Sequence, residues 1–257
     1  MNADNPSNRF PLSLREAAPA WIAILALTAL AWILTLEQVQ AMGNGAGTMG
    51  MSLVAFVAMW TAMMLPSMAP VAILWTRSIL RQRWNAVAYY RIALFVFGYL
   101  LAWAFAGVLA FFGLAAFEQV LVLASSHGRW LGAAIFAIAG IYQLTSFKDV
   151  CLRHCRSPMS LLIHYTSFRG PAIDIRVGLH HGLYCVACCW GLMLILVAVG
   201  VMNILAMALL TIVIFAEKAL RHGMLIARLT GVSFFGAAVV AVICPKLFPG
   251  LNACCPP

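Results

Sequence analysis

The chain has 257 residues, of which 64% are hydrophobic and 9% are charged, and its formal net charge is +9. A soluble domain usually carries about 25% charged residues, so this composition excludes a soluble enzyme, a disordered chain and a secreted disulfide scaffold. Positive charge on a membrane protein collects in cytoplasmic loops, and for that reason we do not take the excess of basic residues as a sign of nucleic-acid binding.

Long apolar blocks recur along the sequence, and several reach the ~20 residues that a helix needs to cross a bilayer. They predict an all-α, polytopic membrane helix bundle that forms a single unit over residues 1–257. The predicted spans are seven: 18–38, 50–75, 91–116, 130–147, 178–199, 202–219 and 226–247. The fifth and sixth spans form a tight hairpin around Gly200 and Asn203.

The basic residues set the predicted orientation of the bundle. With these seven spans, 14 of the 16 Lys and Arg residues fall on one side of the membrane. Basic loops stay in the cytoplasm, so the N-terminus is expected in the cytoplasm and the C-terminus outside. The longest predicted cytoplasmic segment is the basic loop 148–177, which contains a possible metal or thiol site formed by Cys151, His154 and Cys155.

The second span contains a cluster of methionines around a helix breaker. Met63, Met64 and Met68 flank Pro66, which removes one backbone donor from the helix. Broken membrane helices commonly mark binding sites. A methionine-rich packing helix with a kink explains the same residues equally well.

The fifth span carries a stripe of soft metal ligands, because residues three and four apart share one face of a helix. The stripe consists of His181, Cys185, Cys188, Cys189 and Met193. Thiolate and thioether ligands select soft ions, above all Cu(I). The alternative is that these cysteines and methionines only fill apolar space.

The soft ligands of the two sulfur-rich spans lie at similar depths in the membrane. Both sets of residues lie about 10–17 Å from the cytoplasmic face at a rise of ~1.5 Å per residue. We therefore expect spans two and five to be neighbours, with Met63, Met64 or Met68 facing the segment Cys185–Cys189. In the sixth span we expect a local ion pair between Glu217 and Lys218.

Several motifs together resemble the DUF2182 family of bacterial proteins, which are described as predicted metal-binding integral membrane proteins. The matching pieces are Met59–Met68, Cys151–Pro158, His181–Cys185, Cys188–Met193, Gly200–Asn203 and Glu217–Lys218. The resemblance implies a bacterial cytoplasmic (inner) membrane protein that binds a metal. It brings no reaction with it, and copper is inferred here from ligand softness.

The sequence thus predicts a membrane protein that binds Cu(I), with Zn(II) as the less favoured metal, for copper handling, transfer or transport. This points to a binding protein rather than an enzyme. Its expected partners are the lipid bilayer and a metallochaperone or cuproenzyme assembly factor, without nucleic acid. A membrane thiol–disulfide oxidoreductase and a non-catalytic partner subunit remain as alternatives. Cys254 and Cys255 are open to either disulfide or metal chemistry, and the oligomeric state is also open.

Overall fold

The computed structural model describes residues 14–42, 51–80, 86–123, 128–156, 170 and 172–244. This part of the chain forms eight α-helices and contains no β-strand. The helices are α1 Leu14–Met42, α2 Leu53–Leu80, α3 Ala86–Leu123, α4 Gly128–Gln143, α5 Ser146–Arg156, α6 Ile173–Val199, α7 Ile204–Ala219 and α8 Gly223–Ile243. The prediction of an all-helical fold is confirmed.

Three of these helices are long and apolar enough to cross a membrane: α3 over Val87–Val120, α6 and α8. The bent pair of α4 and α5 makes a fourth if the two helices are taken as one span. In α1 and α2 the apolar stretches are shorter, Leu25–Gln38 and Leu53–Ala69. Helix α7 has 16 residues, about 24 Å of helix at 1.5 Å per residue. Seven spans and the orientation of the termini therefore stay predictions.

The predicted span 130–147 needs correction, because the helix ends at Gln143 and the chain bends by 61° before α5. The hydroxyl of Thr145 accepts a hydrogen bond from the backbone N–H of Lys148 at 3.2 Å and so caps the first turn of α5. The first residues of the predicted loop 148–177 consequently belong to a packed helix, in which Lys148 is buried.

The hairpin between α6 and α7 has the predicted form. Gly200 ends α6 with a backbone φ of 101°, a conformation that glycine adopts without strain. The side chain of Asn203 then caps α7 by accepting a hydrogen bond from the backbone N–H of Ala206 at 3.1 Å. The two helices therefore reverse direction within a few residues.

Helix α6 packs closely along α3, and two glycines make this possible. A Cβ atom at Gly98 would collide with the backbone carbonyl of Ile175, and one at Gly178 with that of Phe95. Without side chains at these positions the two backbones touch, as at small-residue contacts between membrane helices. This contact fixes the register between α3 and the sulfur-rich α6.

An ion pair joins the starts of α3 and α6. The guanidinium of Arg91 donates to both carboxylate oxygens of Asp174, at 2.9 and 3.2 Å. The two helices therefore begin at the same end of the bundle and run in the same direction. Cys185 lies eleven residues beyond Asp174, about 16 Å further along α6.

Candidate metal centre

All eight ligands predicted in the second and fifth spans are buried, each with at most 2% of its surface exposed. They are Met63, Met64, Met68, His181, Cys185, Cys188, Cys189 and Met193. The structure does not gather them at a single point. It distributes them among two clusters, an apolar cavity and the surrounding core.

The first cluster, called here the Lys218 cluster, lies where α2, α3, α6 and α7 meet. Its members are Met64, Ser67, Tyr99, Cys185, Cys189 and Lys218. The Cys189 Sγ lies 4.0 Å from the Met64 Sδ, and it donates a hydrogen bond to the Cys185 carbonyl at 2.7 Å. The expected contact between the sulfur groups of α2 and α6 is therefore confirmed for Met64 and Cys189. The two helices are not close neighbours along their lengths, because α2 packs mainly against α1, α3 and α7.

Lys218 brings a positive charge into this cluster. Its Nζ lies 2.6 Å from the Cys185 Sγ, 4.0 Å from the Cys189 Sγ and 3.4 Å from the hydroxyl oxygen of Ser67. The expected ion pair between Glu217 and Lys218 is wrong, because consecutive residues of a helix point in different directions. Lys218 was not among the predicted site residues, although a lysine in an apolar helix was a usable signal.

Two hydroxyl groups surround the same thiol and were also missed. The Tyr99 hydroxyl donates to the Met64 carbonyl at 3.0 Å and lies 3.3 Å from the Cys185 Sγ. Ser67 donates to the same carbonyl at 2.8 Å and lies 3.5 Å from that sulfur. Cys185 is therefore surrounded by an ammonium, which can donate to its sulfur, and by two hydroxyls whose single protons are directed to the Met64 carbonyl.

His181 lies one turn before Cys185 on the same face of α6. Its ring stacks on those of Phe95 and Tyr99, with centroids 6.5 and 5.9 Å away. Among the described residues, no group forms a hydrogen bond with its buried Nδ1. This unsatisfied nitrogen lies next to the cluster, and in the tautomer that leaves it unprotonated its lone pair can bind a metal ion.

The remaining methionines are placed differently. Within the described part of the chain, Met64 is the methionine whose sulfur contacts a thiol, while Met63 and Met68 are buried in the core around it. Met193 lines an apolar cavity of about 470 Å³ together with Trp60 and Trp103. The structure therefore brings one of the four predicted methionines to the cysteines.

The second cluster, called here the Cys155 cluster, consists of Cys151, Cys155 and Cys188. Cys188 is rotated by about 100° from Cys189 around the helix and so faces α5 instead of α2. Cys155 and Cys188 pack in the same buried cluster. His154 lies outside this cluster, with its ring stacked on Tyr184 at 3.9 Å.

A buried polar group adjoins the Cys155 cluster. The Lys148 Nζ donates to the Glu217 carboxylate and to the Cys188 carbonyl, both at 2.7 Å. Gln143 donates to the other carboxylate oxygen of Glu217 at 2.7 Å. These contacts connect the bend between α4 and α5 to α6 and α7.

No three or more His, Cys, Asp or Glu side chains in the described residues are arranged as a preformed metal site. The Lys218 cluster offers a different set, two thiols and one thioether, which suits a soft monovalent ion better than Zn(II). Cys244 is a free, exposed thiol. Cys254 and Cys255 lie outside the described residues.

Comparison with known proteins identifies one family. A family model described as "PpoB2: Copper chaperone" matches residues 53–241, a range that includes both cysteine clusters. It is related to the predicted metal-binding family, although the name DUF2182 itself does not occur in the match. No curated protein and no solved structure matches the chain.

Proposed function

The chain belongs to the PpoB2 copper chaperone family, and from that premise we propose that it binds Cu(I) at the Lys218 cluster and passes it to another protein. The observation that carries the proposal is the contact between the Cys189 and Met64 sulfurs at 4.0 Å, one turn from Cys185. Two thiols and a thioether from two helices form a set of soft ligands.

The spacing of these sulfurs suits a trigonal ion. Metal–sulfur bonds are about 2.3 Å long, so two ligands at a trigonal angle of about 120° stand about 4.0 Å apart. The Cys189 Sγ and the Met64 Sδ have this separation. Cys185 is the third ligand that we assign, because it lies one turn before Cys189 on the same face of α6.

The other predicted ligands are assigned to a second layer. The free Nδ1 of His181 supports this residue as an alternative fourth ligand. Met63, Met68 and Met193 are buried nearby and are proposed as transient ligands along the route of the ion. The Cys155 cluster is proposed as a second copper site, in which Cys155 and Cys188 hold Cu(I) between two thiolates.

Copper is preferred to zinc in this proposal because of ligand type. Zn(II) prefers four ligands, drawn from thiolate, imidazole and carboxylate. A thioether adds little to such a site, whereas it is a good ligand for Cu(I). The expected recipient or donor of the ion is a metallochaperone or a cuproenzyme assembly factor.

We also propose that the protein is embedded in the bacterial inner membrane with all seven predicted spans. The three to four apolar helices support membrane insertion. The excess of basic residues on one side favours a cytoplasmic N-terminus and an outside C-terminus. Labelling of single cysteines introduced into the segment 157–169 tests this topology, and labelling of that segment from outside intact cells contradicts it.

The test of copper binding is a Cu(I) titration of the full chain in detergent. We expect stoichiometric binding by the wild type and loss of at least one equivalent in Cys185→Ala/Cys189→Ala. The matched control is Cys244→Ala, which removes an exposed thiol and leaves the stoichiometry unchanged. Tight zinc binding that survives replacement of both cysteines and Met64, without stoichiometric copper, contradicts the proposal.

The packing of Cys155 and Cys188 in one buried cluster supports a second candidate function, thiol–disulfide exchange. By contrast, the Cys185 and Cys188 pair that has redox spacing in the sequence is divided between the two clusters. Alkylation of thiols before and after treatment with a disulfide oxidant tests this candidate. A reversible disulfide lost in Cys155→Ala, with no copper binding, favours exchange over copper transfer.

A further inference from the structure

Lys218 is buried, with 7% of its surface exposed, and its charge lies beside the two thiols assigned to copper. In the described part of the chain, no carboxylate oxygen lies within 4.0 Å of its Nζ. Its neighbour Glu217 is engaged by Lys148. The thiols of Cys185 and Cys189 are therefore the described neighbours that can supply a compensating negative charge when they are deprotonated by metal binding.

The ammonium stays close to any ion that Cys185 holds. The Nζ lies 2.6 Å from the Cys185 Sγ, and a metal–sulfur bond adds about 2.3 Å, so the two cations are at most about 5 Å apart while this contact is kept. Repulsion between two cations is proportional to the product of their charges and is strong where water is excluded. A divalent ion is therefore repelled twice as strongly as a monovalent ion.

We propose that Lys218 is a specificity-determining residue that restricts the site to a monovalent soft cation. Two thiolates, one ammonium and one Cu(I) sum to zero charge, whereas a divalent ion in the same place leaves a buried charge of +1. Burying an uncompensated charge is unfavourable, most of all inside a membrane. The inference rests on the proposed copper site and adds the reason why zinc is excluded from it.

The experiment compares Ag(I) and Cd(II), which are soft, closed-shell probes of the two charges without redox chemistry. Dissociation constants are measured by chelator competition on the full chain in detergent, for wild type, Lys218→Met and Lys218→Arg. We expect Lys218→Met to reduce the preference for Ag(I) over Cd(II) by about tenfold or more. Lys218→Arg keeps the charge and is expected to keep the preference.

If Lys218→Met alone does not fold, a second pair of variants tests the same role of Lys218. Cys185→Met replaces one thiolate by a neutral thioether, so a bound Ag(I) leaves an excess charge of +1. Replacing Lys218 by Met as well returns the total charge of the loaded site to zero. It also removes both partners of the Lys218–Cys185 contact together. We therefore expect Cys185→Met/Lys218→Met to bind Ag(I) about tenfold more tightly than Cys185→Met.

The outcomes separate this inference from the proposed function. If Cys185→Ala/Cys189→Ala loses one equivalent of bound Ag(I) but Lys218→Met leaves the preference unchanged, the copper site stands and the role of Lys218 is wrong. The role of Lys218 is also wrong if Cys185→Met/Lys218→Met binds Ag(I) more weakly than Cys185→Met does. If the wild type binds neither Ag(I) nor Cu(I), the proposed function itself fails.

Discussion

Two buried lysines lie beside the cysteines of α6, and their surroundings differ in one respect. Lys148 pairs with the Glu217 carboxylate and donates to the Cys188 carbonyl. Lys218 contacts the Cys185 thiol and the Ser67 hydroxyl instead. The first lysine is neutralised by a permanent partner. The second depends on thiols that the proposal assigns to copper.

The difference separates a structural charge from a functional one. A buried lysine with a carboxylate partner contributes to the fold whether or not an ion is bound, because its charge is already compensated. A buried lysine that shares its partner with a metal ion responds to what the site holds. Substitution of Lys148 should therefore mainly lower the stability of the fold, whereas substitution of Lys218 should mainly change which metal ion the site prefers.

The largest expected effect is on the fold and follows from Lys148→Met. This variant leaves the Glu217 carboxylate buried without its cation, which costs about 3–5 kcal/mol of unfolding free energy. Lys218→Met should cost clearly less, because the thiols that remain can take up a proton at pH 7 more readily than a carboxylate can. Thermal unfolding in detergent compares the two variants.

The control for this prediction is Lys148→Met/Glu217→Gln, in which both charges are removed. It should recover part of the lost unfolding free energy, since a neutral amide is less costly to bury than a lone carboxylate. Equal losses of unfolding free energy in Lys148→Met and Lys218→Met would contradict the distinction between a structural and a functional lysine.

A second prediction concerns the helix contact that positions Cys185. Gly178→Ala places a Cβ against the Phe95 carbonyl, so α3 and α6 must separate, at a cost of about 1–3 kcal/mol. Copper affinity should fall as well, because Tyr99 moves with α3. Gly236→Ala is the matched control, since a Cβ there meets open space. Unfolding and Cu(I) titration of both variants test the prediction, which fails if Gly178→Ala behaves like its control.

The smallest expected effect comes from Tyr99→Phe. The variant removes one hydrogen bond to the Met64 carbonyl and a polar neighbour of the Cys185 thiol. We expect a loss of about 1 kcal/mol in unfolding free energy and a less than tenfold weakening of Cu(I) binding. The control is Tyr142→Phe, which loses a hydrogen bond to the Ala187 carbonyl outside the Lys218 cluster and should leave Cu(I) binding at the Lys218 cluster unchanged.

Much of the fold follows from local sequence patterns. Apolar blocks gave the helices, and Gly200 with Asn203 gave the hairpin, because glycine ends helices and asparagine caps them. The bend before α5 was missed, although Thr145 is a good capping residue. The sequence stays apolar up to the bend, so composition alone does not show where α4 ends.

The candidate site was predictable only as a list of ligands. Helical spacing groups Cys185, Cys188 and Cys189 on adjoining faces, but the neighbouring helices decide which cluster each thiol enters. Lys218 and Tyr99 reach Cys185 from α7 and α3. Such contacts depend on tertiary packing, which residue spacing within one helix does not determine.

X-ray absorption at the copper edge of the Cu(I)-loaded chain, carrying Cys155→Ala throughout to remove the proposed second copper site, tests the central claim most directly. The account predicts two to three sulfur neighbours at about 2.3 Å, with one sulfur fewer in Met64→Leu. Met59→Leu removes a buried methionine outside the Lys218 cluster and should leave the sulfur count unchanged. Copper surrounded mainly by nitrogen and oxygen, or a sulfur count unchanged in Cys185→Ala/Cys189→Ala, contradicts a copper site at the Lys218 cluster.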